Sequence, residues 1–101
     1  MANHTLKQGI DNILRQLYSK KGDIFAELMI NWKSVVGVEF YQQITPVDIR
    51  YYHTNSEKTA SLSLKITKQG NHLELQFSNL IILERINNYL GYNAVSNIKF
   101  V

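Results

Sequence analysis

The chain has 101 residues, eleven Lys and Arg against eight Asp and Glu, a formal net charge of +3 and no cysteine. The missing cysteines exclude disulfides, thiol nucleophiles, zinc ribbons and iron–sulfur ligation, and the length suits one domain, residues 1–101, whose core needs no staple. A pI of 9.2 barely reaches the level expected of a nucleic-acid-binding domain.

The polar start, Ala2-Asn3-His4-Thr5, has no basic stretch leading into an apolar run, so no signal peptide is visible. The longest apolar run, Leu80 to Leu83, is far too short to cross a bilayer. A cytoplasmic protein with no membrane partner is the simplest expectation.

Apolar residues at Leu6, Ile10, Ile13, Leu14 and Leu17 form one helical stripe and predict a helix over 4–20, closed by Lys20-Lys21-Gly22. Asp23 is placed to cap a second helix with the stripe Ile24, Phe25, Leu28, Met29, Trp32, Val35 and Val36. Gly37 is either a stop or a close contact. Phe40, Tyr41 and Ile44 keep the helical spacing, so the helix is expected to resume to about Gln43 and to end at Thr45-Pro46.

From Val47 the period becomes two. Val47, Ile49 and Tyr51 predict a first strand, and Ala60, Leu62, Leu64 and Ile66 predict a second, joined by the polar segment 53–59. After Gln69-Gly70-Asn71 the pattern is ambiguous. Residues 72–77 alternate like a strand, yet Leu73, Phe77, Leu80, Leu83, Ile86 and Leu90 form one helical stripe. The single helix from Asn71 to Leu90 explains more residues, with Asn71 as cap, Glu74 at the capping-box position and Gly91 as stop. Ala94 to Val101 completes the chain as a last strand. The expected class is α+β, in the order α-α-β-β-α-β.

Catalytic chemistry finds no support in the motifs. His4, His53 and His72 are not spaced as metal ligands, no G-x-S-x-G elbow occurs, and the five glycines are isolated, so neither a phosphate loop nor a G-x-x-G clamp can be written. No catalytic residue, cofactor or metal is expected, and the chain does not read as an enzyme. Arg50-Tyr51-Tyr52-His53 sets a cation beside rings that single-stranded nucleic acid can stack on. The candidate nucleic-acid-binding residues are Lys20, Lys21, Lys33, Arg50, Tyr52, Lys65 and Lys68. The structural alternative makes Tyr51 core and the lysines a solvated rim. Leu80-Ile81-Ile82-Leu83 is expected to be buried on two sides, with a docking edge as the alternative.

Trp32-Lys33-Ser34-Val35-Val36-Gly37 followed by Thr45-Pro46 resembles the signature W-x-x-(I/V)-V-G…T-x-P-x-x-(I/L) of the DciA-like family, bacterial proteins once catalogued as a domain of unknown function. Glu84-Arg85-Ile86-Asn87, then Gly91-Tyr92-Asn93-Ala94-Val95, is similar to its second block, E-R-I-N…G-Y-x-A-V, in the alphaproteobacterial form. The resemblance implies a KH-like fold, about three strands covered by helices. It also implies a non-enzymatic DNA-replication role with two partners, the replicative helicase DnaB and DNA, possibly single-stranded. Many members extend beyond this domain as a disordered segment, whereas this sequence stops on its expected last strand. Two rival readings remain at this point. One is a KH-like RNA-binding module, the other a purely structural interaction domain, dimeric through Leu80–Leu83 or the last strand.

Overall fold

The computed structural model describes residues 9, 10, 12, 13, 15–17, 21–54 and 57–101. Its elements are α1 (Asp23–Ile30), α2 (Trp32–Val36), β1 (Ile44–Thr54), β2 (Glu57–Ile66), α3 (His72–Phe77), α4 (Asn79–Leu90) and β3 (Asn97–Phe100). The class is α+β, helices with a three-stranded mixed sheet. β1 and β2 form an antiparallel hairpin and β3 joins β2 in parallel. A parallel neighbour needs a crossover, and α3 and α4 supply it.

The core lies between the helices and one face of the sheet. Phe25, Leu28, Trp32, Val35, Val36, Ile82 and Ile86 meet Ile49, Ala60, Leu62, Leu64 and Ile98 there. On β2 the predicted alternation holds, with Ala60, Leu62 and Leu64 fully buried. On β1 it shifts phase. Ile44 and Pro46 are buried, then Ile49, because an irregularity between Pro46 and Asp48 inserts a residue into the strand. The strand therefore starts earlier than predicted and contains Thr45-Pro46. Proline is tolerated because β1 is an edge strand and can lack one outward N–H.

Several boundaries differ from the sequence reading. Gly22, not Asp23, occupies the cap position of α1, and Asp23 sits in its first turn, where a carboxylate suits the helix dipole. The second helix breaks at Asn31, whose backbone amide and side-chain amide both donate to the Glu27 carbonyl, at 3.2 and 3.1 Å, capping the end of α1. Beyond Gly37 the helix does not resume. Gly37 has φ +92°, and the amides of Phe40 and Tyr41 both turn back onto its carbonyl, at 3.2 and 3.1 Å.

The helical reading of residues 72–90 holds, with a turn at Ser78 between α3 and α4. Asn71 caps it as expected, its Oδ1 accepting from the Glu74 amide at 3.0 Å. The predicted stripe is buried only in its second half, where Ile86 is in the core and Leu83 and Leu90 pack against it. Leu75, Ile82 and Ile86 enter the core, while Leu73, Phe77 and Leu80 of the predicted stripe are 68%, 81% and 76% exposed. Ile81 is half exposed too, so the expected burial of Leu80–Leu83 on both sides is corrected to burial on one. Ile10, Ile13 and Leu17, helical as predicted, are likewise exposed. The rest of the first predicted helix, with Leu6, Leu14 and Lys20, lies outside the described residues.

Candidate functional site

Opposite the core, the sheet presents a face on which no described residue is buried. Because Ala60, Leu62 and Leu64 point inward, Thr59, Ser61, Ser63 and Lys65 of the central strand point outward. The register arranges them in rows: Tyr52 beside Thr59, Arg50–Ser61–Asn97, Asp48–Ser63–Lys99, and Thr45 beside Lys65. Each of the last three rows carries one cation, and rows two residues apart are about 7 Å apart. Hydroxyls floor the face, since the central strand offers only Ser and Thr until Lys65. Long basic side chains stand on both flanking strands.

Tyr52 closes one end. Its hydroxyl is 2.6 Å from Ser96 Oγ, so the side chain spans from β1 to the segment before β3, and Ser96 Oγ donates on to the Ala60 carbonyl at 3.3 Å. The phenol is held across the sheet and still partly exposed, as a stacking surface must be. Lys21 reaches this face from the helix side of β1. Its ammonium donates to the Val47 carbonyl at 2.9 Å and to Asp48 Oδ1 at 3.3 Å, and it lies 5.5 Å from the Phe25 ring. The Lys21 ammonium, helped by the Ile49 amide, holds the Asp48 carboxyl below the usual carboxylate range. The one carboxylate among the described side chains of the face is thereby offset, leaving Arg50, Lys65 and Lys99 as a net positive surface.

Of the residues picked from sequence, Arg50, Tyr52 and Lys65 share this face and Lys21 sits at its rim. Lys68 is exposed in the turn leaving β2, beyond Lys65. Lys33 belongs to the helix layer, its ammonium 5.1 Å from the Tyr41 ring. Lys20 lies outside the described residues. Tyr51 is not core, being 51% exposed on the opposite side of β1 from Arg50. Sequence reasoning missed Lys99. Alternation within Asn97-Ile98-Lys99-Phe100 was the available signal, but only the parallel pairing of β3 with β2 decides that Lys99 joins Lys65.

Other residues of the two sequence blocks hold the fold. Trp32 is buried and its indole Nε1 donates to the Ile44 carbonyl at 2.8 Å, tying α2 to the start of β1. Arg85 of α4 donates to the Val36 carbonyl at 2.6 Å, pairs with Glu39 and lies 5.3 Å from the Phe40 ring. Gly37 has φ +92°, which disfavours any side chain, and a Cβ there would also come within 2.8 Å of Glu39 Oε1 and 2.9 Å of that guanidinium. Asn87 holds the backbone of Val95 from both sides, donating to its carbonyl and accepting from its amide, each at 2.9 Å. An open groove of about 620 Å³ lies beside this cluster, between α2 and α4, but its arginine is already engaged.

Among the described residues no group of three or more His, Asp or Glu could hold a metal ion, and no helix is long and apolar enough to cross a membrane. A family model described as "Dna[CI] antecedent, DciA" matches residues 3–100. A protein of Rickettsia prowazekii (strain Madrid E), itself described as uncharacterized, is 33% identical over 90 residues, covering 89% of this chain and 83% of that protein. No solved structure matches the chain.

Proposed function

We propose, on the premise that the chain belongs to the DciA family, that it is a non-enzymatic accessory protein of DNA replication that associates with the replicative helicase DnaB and binds single-stranded DNA weakly. The family's description as the antecedent of the Dna[CI] proteins implies a role linked to replicative helicase loading. The observation carrying the DNA half is the open sheet face, where Arg50, Lys99 and Lys65 stand in successive rows around a floor of hydroxyls. A surface of this kind neutralises phosphates along an extended backbone without reading bases, so weak, salt-sensitive and sequence-tolerant binding is the expected behaviour.

The helicase half draws support from the other side of the molecule. Leu73, Phe77, Leu80 and Ile81 run down the outer face of α3 and α4, half to four-fifths exposed. Exposed large apolar side chains lying close together on a helical segment are a candidate protein-docking surface. DNA on the sheet and helicase on the helices would then not compete. On this reading the protein acts in the cytoplasm as one domain.

The test has two arms. Fluorescence anisotropy with a labelled oligo(dT) should show binding that weakens steeply with salt, and an RNA competitor of equal length should displace it less well than DNA. A pull-down with purified DnaB should retain the wild type and lose the Phe77→Ser, Leu80→Ser double variant. Absence of both interactions in the wild type would remove the proposal, and preferential displacement by RNA would move it to an RNA-binding module.

A further inference from the structure

A second cavity lies on the helix side of the hairpin, about 330 Å³ in volume and lined by Ile24, Tyr51, Lys58, Thr59, Tyr92 and Ala94. We infer that this cleft is a stacking site for a single nucleobase, taken from the strand that lies on the basic sheet face. The inference rests on reading that face as a single-stranded DNA surface.

The chemistry of the lining selects the ligand. Two phenol rings, 51% and 59% exposed, come from elements far apart in sequence, Tyr51 from β1 and Tyr92 from the turn after α4. Ile24 and Ala94 add apolar walls. A volume at the lower end of the small-ligand range admits one planar group with its sugar and little more. Exposed aromatic rings beside an apolar wall favour a neutral π-face, and every base has one. Lys58, exposed in the same lining, supplies a cation for the phosphate that a nucleotide brings with it, and among the described residues no carboxylate lines the cleft, Asp23 lying near the Tyr51 hydroxyl outside it.

The site is partly built before any ligand arrives. The Tyr51 hydroxyl donates to the Lys21 carbonyl at 3.2 Å, so that ring is already held and loses little freedom on stacking. Burial, then the nearby Asp23 carboxylate, raises its phenol pKa above the ordinary value.

Position completes the argument. Tyr51 lies between Arg50 and Tyr52, both of which face the open side of the sheet, and β1 is the sheet's edge. Only the thickness of one strand separates the two faces there. A nucleic-acid strand with its phosphates at Arg50 can therefore fold one base over the β1 edge into the cleft. An aromatic side chain of a protein partner would be recognised without the phosphate, which is why Lys58 and the neighbouring basic face favour the nucleotide.

The test uses the intact protein in two measurements. In the first, oligo(dT) binding is followed by anisotropy for Tyr92→Ala, Tyr51→Ala and Tyr92→Phe, with circular dichroism to verify folding. Each alanine variant should bind about 5- to 100-fold more weakly, the range seen when one stacking ring is lost, and Tyr92→Phe should stay within about twofold. The salt slope should not change, because no phosphate contact is removed. Alanine variants that fold and bind like the wild type would overturn the inference while leaving the sheet-face reading intact. The second measurement titrates thymidine monophosphate and follows the Tyr51 and Tyr92 ring protons by NMR. Shifts confined to those rings and their neighbours support the cleft even if no oligonucleotide binds, in which case it is the sheet-face reading that fails. Unmoved ring protons at saturating nucleotide would overturn the cleft whatever the oligonucleotide does.

Discussion

Replacing Arg50, Lys65 and Lys99 together by Gln removes the three unoffset cations that the described residues place on the open sheet face, while leaving the core untouched. The three occupy successive rows along β2, so a strand laid over them brings about three phosphates within reach. Each neutralised phosphate contributes roughly −0.7 to the slope of log affinity against log salt for single-stranded DNA, so the wild type should show a slope of about −2 and lose roughly 20-fold in affinity between about 50 and 200 mM salt. Lys21 adds little to this, because Asp48 already holds it at 3.3 Å. The triple variant should bind nearly independently of salt, and each single variant should flatten the slope by about 0.7. Lys33→Gln, which removes a cation from the helix layer, is the control and should leave the slope alone. Oligo(dT) anisotropy at five salt concentrations measures all of these. A triple variant with the wild-type slope, or a Lys33→Gln effect as large as that of Arg50→Gln, would refute the assignment of the face.

Three further outcomes test the fold beneath the site. Trp32→Ala should cost about 3–5 kcal/mol, because it empties a buried indole's place and leaves the Ile44 carbonyl without its donor; urea denaturation measures it, and a loss under about 1 kcal/mol would contradict burial. Ile82→Ala should cost about 2–5 kcal/mol while Leu80→Ala, two residues away on the opposite side of the same helix, should stay within about 0.5 kcal/mol, a contrast that reverses if Leu80 is the buried residue. Tyr51 and Tyr89 should ionise above the ordinary tyrosine value in a spectrophotometric titration, burial being the main cause for both and a nearby carboxylate, Asp23 or Glu27, the next. Folding favours their protonated forms, so this contribution to stability is complete below the unfolded-state value and declines as pH rises through the folded one. Two phenols titrating early instead of late would contradict it.

The long helical segment shows how far periodicity reaches. Leu73, Phe77, Leu80, Leu83, Ile86 and Leu90 identify a helix correctly, because side chains three and four apart share a face whatever that face meets. Which face meets the sheet was not legible there. Residues 72–90 carry more apolar positions than one stripe can hold, and Leu75 and Ile82, outside the predicted stripe, are fully buried together with Ile86 from it. The same holds for β1, where the inserted residue after Pro46 rephases the alternation and turns Ile44, Pro46 and Ile49 inward.

What the chain alone determined is local or compositional. The change of period at Val47, the Asn71 cap, the Gly91 stop and the two sequence blocks established the class, the element order and the family, because each depends on residues close together in sequence. The tertiary structure decided everything that joins distant segments. It pairs β3 with β2 and so adds Lys99 to the basic face, it brings Tyr92 opposite Tyr51, and it sets Arg85 against the glycine that ends the first block. These are contacts across dozens of residues, and no local pattern encodes them. The register of three strands and the packing of helices on one side of the sheet do so, by choosing which half of every alternating segment water is left to see.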